Sequence, residues 1–369
     1  MKKRILKNIE WSIFICCILL LIIGLVALFS ATQDNNYDDL KKQIIWAGIS
    51  IPIMFVVVFI DYNTIAKFSP IFYGIFILLL IAVLFTPSIN GAKSWFQITS
   101  TLTFQPSELA KVFVILFLAY VMVKIQERDP KEINRFTRLA IIFLVLGIPL
   151  GLIAIQPDIG TAVAFITATA LMLFVSGIDR RYIIVAILLI VILIPVLYFF
   201  VLPDHAKNRI DVFLNPGLDP RGAGYNIIQS KLAIGSGQLF GMGLLKGNQT
   251  QLGFLYPKST DFIFSVIGEE LGFLIAGTVI ILYVVLITKT IYVAKTAKDD
   301  LGSYIAIGIC GVFLFHMIEN IGMTMGLLPI TGVPLPFVSY GGSSLVTNFI
   351  CIGLILNISG RRQKTIFVD

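Results

Sequence analysis

An all-α, polytopic membrane protein is the fold class this sequence predicts. Of its 369 residues 57% are hydrophobic and only 13% are charged, and the mean hydropathy is +0.93. That is more apolar surface than one water-soluble core can bury. Apolar stretches of roughly 20 residues, the length a helix needs to cross hydrocarbon, recur from end to end. They leave no stretch for a separate soluble domain, so residues 1–369 read as a single transmembrane domain.

The first apolar run, 12–31, follows the basic Met1-Lys2-Lys3-Arg4. It is too long for the apolar core of a signal peptide and lacks a small-x-small cleavage site, so it is expected to stay as the first span. Polar breaks place further helices near 43–60, 68–86, 107–124, 139–155, 158–176, 182–202, 261–288, 302–325 and 340–359, about ten spans in all. An even number puts both termini on one side. Loops on that side hold 18 Lys and Arg residues, whereas the short loops opposite hold three, Lys41, Lys42 and Lys93. By the positive-inside rule both termini are cytoplasmic, and 87–106, 203–260 and 326–339 face outward. The long outward loop between spans seven and eight carries six more basic residues, but long loops cross largely regardless of charge. Inside it, 227–245 is apolar yet broken by Gly235, Gly237, Gly241 and Gly243. A segment lying on the bilayer or folding back into the protein is expected there, not an eleventh span.

Several function classes drop out. The net charge of +7 comes from residues in short loops, not from one helix face or tail, so nucleic acid is not an expected partner. Cys16, Cys17, Cys310 and Cys351 lie inside apolar runs without ligand-type spacing, which predicts neither disulfides nor a zinc site. The run 235–243, GSGQLFGMG, resembles a phosphate-cradling loop, but no strand precedes it.

Ionisable groups within the spans need a partner, a cavity or a task. Span four opens Pro106-Ser107-Glu108-Leu109-Ala110-Lys111, with a carboxylate and an ammonium three apart on one helix face. A structural ion pair and an outward polar cavity with Lys111 free for an anionic ligand both fit. Asp158, after Gln156-Pro157, sits where a carboxylate caps a helix. Asp261 lies where the long outward loop enters span eight; capping explains it, and so does a general base at the mouth of a cavity. Glu269 and Glu270, two turns deeper, are adjacent in sequence and so expected on different helix faces, at least one with a partner inside the bundle. His316 and Glu319 share a face at i, i+3 and read as interhelical glue before a proton relay. In the last outward loop, Pro329, Pro334 and Pro336 stiffen a segment whose hydroxyls, Ser339 and Ser343 among them, and backbone amides near Gly341 suit either an anion or helix packing.

Six blocks in order carry a resemblance over nearly the whole chain: Asn90-Gly91-Ala92-Lys93-Ser94-Trp95, Gln105 to Lys111, Gln156-Pro157-Asp158-Ile159-Gly160-Thr161-Ala162, Phe213-Leu214-Asn215-Pro216 through Gly237, Thr260-Asp261-Phe262 through Gly272, and Pro334 to Ser344. Together they resemble the SEDS family (shape, elongation, division and sporulation), which polymerises the peptidoglycan precursor lipid II. The short tails and the Asp61-Tyr62 pair are more similar to its elongation member than to its division member. One departure is Pro257-Lys258-Ser259, where the family commonly has Pro-Glu before Thr-Asp.

The resemblance implies an inverting glycosyltransferase at the outer face of the cytoplasmic (inner) membrane, with Asp261 as general base. Trp95, Glu108, Lys111, Asp158, Ser339 and Ser343 are then expected to line the substrate cavity. It implies lipid II as substrate, a class B penicillin-binding protein as partner, and positive charge on the leaving diphosphate from Lys111 or a divalent cation, Mg or Mn, with no organic cofactor. A lipid II flippase or transporter is the alternative, since many carriers also carry intramembrane carboxylates. Against it, no internal repeat with paired broken helices is visible, and the polar motifs gather on one side.

Overall fold

The computed structural model describes residues 6–88, 92–97, 99, 103–201, 207, 211–219 and 222–362. The run Met1-Lys2-Lys3-Arg4, the pair Asn90-Gly91, parts of the long outward loop and the tail beyond Arg362 lie outside the described residues. The helices are α1 (Trp11–Ala31), α2 (Asp38–Phe59), α3 (Tyr62–Ala82), α4 (Pro106–Gln126), α5 (Phe136–Ile155), α6 (Ile159–Val175), α7 (Arg180–Val196), α8 (Ala223–Ser236), α9 (Asn248–Gln251), α10 (Ile263–Lys295), α11 (Asp300–Thr324) and α12 (Gly342–Arg361). Seven of them, α1, α2, α3, α5, α10, α11 and α12, are long and apolar enough to cross a membrane. The other three stretches expected as spans are also helical, as α4, α6 and α7. In the 87–106 segment a two-residue antiparallel pair, β1 (Phe96–Gln97) with β2 (Thr103–Phe104), departs from the all-helical reading.

Local chemistry sets the helix starts. Asp61, Asp158 and Asp299 cap α3, α6 and α11, each side chain accepting from a backbone N–H in the first turn. Pro106 stands at the first position of α4, where its missing N–H costs nothing. The middle of the bundle belongs to α11 and α12, whose apolar windows are 72% and 78% buried against 22% for α3. α11 packs on α6, α10 and α4, and α12 on α2. At Gly311 a Cβ would stand 2.7 Å from Ala168 Cα, the close backbone approach small residues allow between membrane helices. The described side chains of α7 are mostly exposed, including Ile184, Val185, Ile187, Leu188, Val191 and Ile192, as suits a helix in lipid.

Contacts at the helix ends sort the loops into two groups. At one end Arg362 meets Glu10 at 3.3 Å, Lys289 meets Glu10 at 3.0 Å, Tyr62 donates to Asp299, and Tyr304 donates to Gln126, whose amide reaches Ser176 O. At the other end Lys258 meets Asp34, Gln251 meets Ser30, Tyr340 N donates to Ser259 O, and Gln105 meets Asp158. The first end holds most of the basic residues, and the second holds the motifs.

The described part of the long loop between α7 and α10 is largely structured. Its apolar stretch forms α8, too short at 14 residues to span a membrane, which folds back so that Ser230 meets Ser265 Oγ and Thr324 O. α10 widens into a π-turn at Ile267–Leu271, and the freed carbonyls of Glu269 and Glu270 accept from Met242 N and Gly243 N. Both acids serve this one loop rather than separate faces of the bundle. Glu269 accepts from Gln249 N at 2.7 Å, Thr250 N at 3.0 Å and Thr250 Oγ1 at 2.6 Å; Glu270 accepts from Leu245 N, Gly247 N and Gln251 Nε2. The glycines that looked like a phosphate loop let it lie against the helix. Gly241 has φ +81 and a Cβ there would stand 2.2 Å from Glu270 O.

Replacing Glu269 by Ala strands two N–H groups and a hydroxyl in a buried site. The Glu269→Ala protein is expected to lose on the order of 2 kcal/mol of stability. Melting in detergent and limited proteolysis check this: cleavage within 238–251 should appear with helix content unchanged, and a loop as resistant as in the native chain would show that other contacts hold it.

Candidate active site

The second end is built around a buried charge. Lys111, on the second turn of α4, is 2% exposed and its Nζ lies 2.8 Å from Glu108 Oε1, one turn back on the same helix. The same Nζ lies 3.2 Å from Nε2 of His316 on α11, and His316 Nδ1 lies 3.1 Å from Pro334 O in the α11–α12 loop. The expected ion pair is thus present, but it is joined to a second helix and a loop. Val114, Ile115, Phe165 and Val312 line the same small void as Lys111, so the charges sit in surroundings that weaken competing solvation.

Gln105 links this cluster to two further expected residues. Its Nε2 donates to Asp158 Oδ2 at 3.0 Å, and its backbone N–H donates to Ser343 Oγ at 3.3 Å. Asp158 caps α6 through Thr161 N at 3.1 Å, so it is both a cap and a neighbour of the ion pair. Burial holds its carboxyl above the usual range; the hydrogen bonds from Thr161 and the charge of Lys111 pull it down, and Glu108 adds to the rise.

Asp261 stands at the entry to α10, half-buried. Its carbonyl accepts from Asn320 Nδ2 at 3.0 Å, and the same amide donates to Val333 O at 2.8 Å. A Cβ at Gly332 would stand 3.4 Å from Asp261 Oδ2, and one at Gly160 only 2.2 Å from Val333 Cγ2. The 331–333 segment therefore lies between Asp261 and the start of α6. Burial pushes the Asp261 carboxyl up from an ordinary 3.8 to about 6, against the hydrogen bond from the Thr260 side chain. Asn320 and His316 are four apart on α11, so the Lys111 cluster lies just over one helical turn, about 6 Å, below this level.

Ser339 is 5% exposed; its hydroxyl donates to Thr260 O at 2.7 Å and accepts from Leu335 N at 2.8 Å. It positions the residue before Asp261. Gln43 of α2 grips the same segment through Ser339 O and Gly341 N. Trp95 is half-buried, and its carbonyl accepts from Thr86 Oγ1. Among the described residues Trp95 shares no hydrogen bond or ring contact with the cluster. Lys258, where the resemblance led to the expectation of a glutamate, donates to Asp34 at 2.6 Å and to Thr250 O at 2.9 Å.

His316 joins α11 to α4 through Lys111, as expected of interhelical glue, though its partner was not legible; the links made by Gln105, Asn320 and Gln43 were missed. His316 and Glu319 do share a face, but each turns to the following loop, His316 to Pro334 O and Glu319 to Thr331 at 2.8 Å. No group of three or more His, Cys, Asp and Glu side chains placed to hold a metal occurs among the described residues.

A multi-pass helical membrane protein with a buried Glu–Lys–His cluster beneath a half-buried aspartate is the class these features define. The family model described as cell cycle protein, covering FtsW, RodA and SpoVE, matches residues 10–364, and the chain belongs to that family. It is 36% identical over 360 residues to the peptidoglycan glycosyltransferase MrdB of Escherichia coli K12, covering 96% of this chain and 95% of that protein. In structure it is similar to a chain from work on the coordination of polymerization and crosslinking by a peptidoglycan synthase complex, with a TM-score of 0.82, 28% identity and coverage of 95% of this chain and 97% of that one. It is also similar to the rod shape determining protein RodA of Thermus thermophilus, with a TM-score of 0.72, 27% identity and coverage of 96% and 98%.

The raised Asp261 carboxyl gives a sign that can be tested. Between pH 3.8 and about 6 the native protein keeps this proton while the unfolded chain has released it. Stability from this group therefore falls as pH rises through that window and is flat above it. The Asp261→Asn protein is expected to melt above the native chain at about pH 8, with the gap closing towards about pH 4. A gap independent of pH in melting curves would place the Asp261 pKa at its ordinary value.

Proposed function

We infer that this chain is a peptidoglycan glycosyltransferase that polymerises lipid II, with Asp261 as general base. The observation that carries the base assignment is Asp261 itself: a half-buried carboxyl raised to about 6 and set against Gly332 at the polar end of the bundle. A base with a pKa near the operating pH combines the correct protonation state with driving force for proton transfer. Family membership and the named activity of the relatives support the reaction class.

In the proposed step Asp261 removes the proton from the 4-hydroxyl of the acceptor GlcNAc as that oxygen attacks the anomeric carbon of the donor MurNAc. The new glycosidic C–O bond forms with inversion as the bond to the diphosphate breaks, and undecaprenyl diphosphate leaves with the bonding pair. The Lys111 cluster, with Asp158 and Ser343 tied to it through Gln105, forms the polar floor for the sugars. Ser339 fixes the backbone beside the base. Positive charge for the diphosphate is assigned to Lys111 or to a divalent cation, Mg or Mn. The described residues do not make a preformed metal site. An ion carried in on a diphosphate needs only one or two carboxylates from the protein, and Asp158 and Asp261 are the half-buried acids at hand.

The basic end of the bundle is assigned to the cytoplasm by the positive-inside rule, which puts both termini there and the site at the outer face of the inner membrane. Likeness to a chain of a peptidoglycan synthase complex supports a class B penicillin-binding protein as partner, contacted through its membrane helix. The similarity to RodA favours cell elongation as the setting.

Polymer formation from lipid II by the purified protein with its partner tests this. Native chain should make glycan strands with a rate that rises with pH through about 6, and Asp261→Asn, at matched folded amounts, should lose activity by about a hundredfold or more. Full activity in that variant would end the base assignment. Transfer of lipid II across vesicle bilayers without strand formation would turn the reading towards a flippase.

A further inference from the structure

We propose that His316 is a positioning residue that acts through Lys111 to present one free oxygen of Glu108 to a hydroxyl or amide N–H of the sugar substrate. The inference rests on the glycosyltransferase reading above and adds to it a residue and the donor class that residue serves.

The ring contacts fix the direction of the chain. Pro334 O can only accept, so His316 Nδ1 carries the proton and Nε2 offers its lone pair. An ammonium has three donors and no acceptor, so Lys111 Nζ donates to that lone pair at 3.2 Å and to Glu108 Oε1 at 2.8 Å. The order is therefore Glu108 Oε1, Lys111, His316, Pro334 O, with every proton pointing away from Lys111 or towards the loop carbonyl.

The other oxygen, Glu108 Oε2, is buried without a hydrogen-bond partner among the described residues, and so is the neighbouring Ser107 Oγ. Glu108 as a whole is 3% exposed. A buried charged acceptor left unmatched costs free energy that a native protein seldom accepts without use. Here the unmatched atoms sit on the first turn of α4, directly after Gln105, which ties Asp158 and Ser343 to the same place. An aminosugar carries hydroxyls and an acetamido N–H, the donors such an oxygen takes.

His316 decides which oxygen is left over. Without an acceptor at Nε2, the Lys111 ammonium has only Glu108 within its described reach and is free to bridge both carboxylate oxygens, using up the one meant for the ligand. A histidine that merely filled space would have no such effect.

Two substitutions separate these roles. In His316→Gln the side chain can still offer an acceptor near the Nε2 position but gives up the donor to Pro334 O. In His316→Asn the donor near Nδ1 survives and the acceptor for Lys111 is lost. With lipid II polymerisation measured at matched folded amounts, His316→Asn is expected to lower kcat/KM by about tenfold, while His316→Gln restores it to within about threefold of native. Equal losses in both variants, or native activity in His316→Asn, would overturn the proposal.

A second readout does not depend on catalysis. The chain has two histidines, His205 and His316, so nitrogen-15 spectra of histidine-labelled protein in detergent resolve the ring directly. The expected result is an Nδ1–H ring whose Nε2 resonance moves in Lys111→Met; an Nε2–H ring would overturn the chain of donors. If the native protein makes no strands, the glycosyltransferase reading fails, and the spectra still decide the His316–Lys111 link.

Discussion

A lysine ammonium closed off inside an apolar bundle is the constraint on which the polar end of this molecule depends. Lys111 is 2% exposed, and a lone charge there costs several kcal/mol. Glu108 neutralises it from one turn away, but a carboxylate alone leaves ammonium protons unmatched. His316 supplies the second acceptor, and its own ring is held by Pro334 O. The demand of one charge thus reaches from α4 through α11 into the loop that follows. Tyr283 of α10 donates to Pro336 O in that same loop, while Gln43 of α2 holds Ser339 O and Gly341 N. Helices far apart in sequence are pinned to one irregular segment, and irregular backbone at this depth persists only where its polar groups are matched by protein.

Asp261 sits on the boundary of that pinned region and differs from the other aspartates at helix starts. Asp61, Asp158 and Asp299 each accept a backbone N–H of the helix they cap, the normal use of a carboxylate there. The side chain of Asp261 makes no such cap and takes a hydrogen bond from the Thr260 side chain instead. Burial without that compensation is what raises its pKa. Position is instead secured through backbone: Asn320 holds its carbonyl, Ser339 holds that of Thr260, and Tyr340 N holds that of Ser259. A carboxylate with a fixed backbone and few donors is poised to take a proton, at a cost in stability borne by the surrounding network.

Hydropathy made the long helices legible because a helix in lipid writes its length directly into the sequence. Within single elements the side-chain chemistry was legible too. Glu108 and Lys111 pair because i, i+3 neighbours on a helix must meet, and Asp158 caps α6 because of where it stands. Links between elements were not. Periodicity gives the face on which His316 lies but not that Lys111 comes from another helix to meet it. Adjacency suggested separate faces for Glu269 and Glu270, whereas a π-turn and a loop returning over it bring backbone donors to both. Trp95 belongs to a matching motif, yet sequence order alone does not bring its ring to the cluster. The broken apolar run 227–245 gave the correct hint of a non-spanning segment, but its helix α8 is fixed by Ser265 and Thr324, contacts without a local signal.

Lys258 stands where the resemblance implied a glutamate, and the structure shows what the lysine does instead. A glutamate there would set a second carboxylate against Asp34, which lies 2.6 Å from the present ammonium, and would have no donor in Thr250 O. Lys258 reverses the sign: its ammonium bridges the turn after α1 to the last residues of α9. α9 is the turn whose N–H groups Glu269 holds from below. The loop is therefore gripped by anions on its α10 side and by a cation on its α1 side. Asp261 is left without a carboxylate neighbour three residues back, so its raised pKa stems from burial and not from like-charge repulsion. The base assignment is in consequence independent of the position at which this chain breaks the family's pattern.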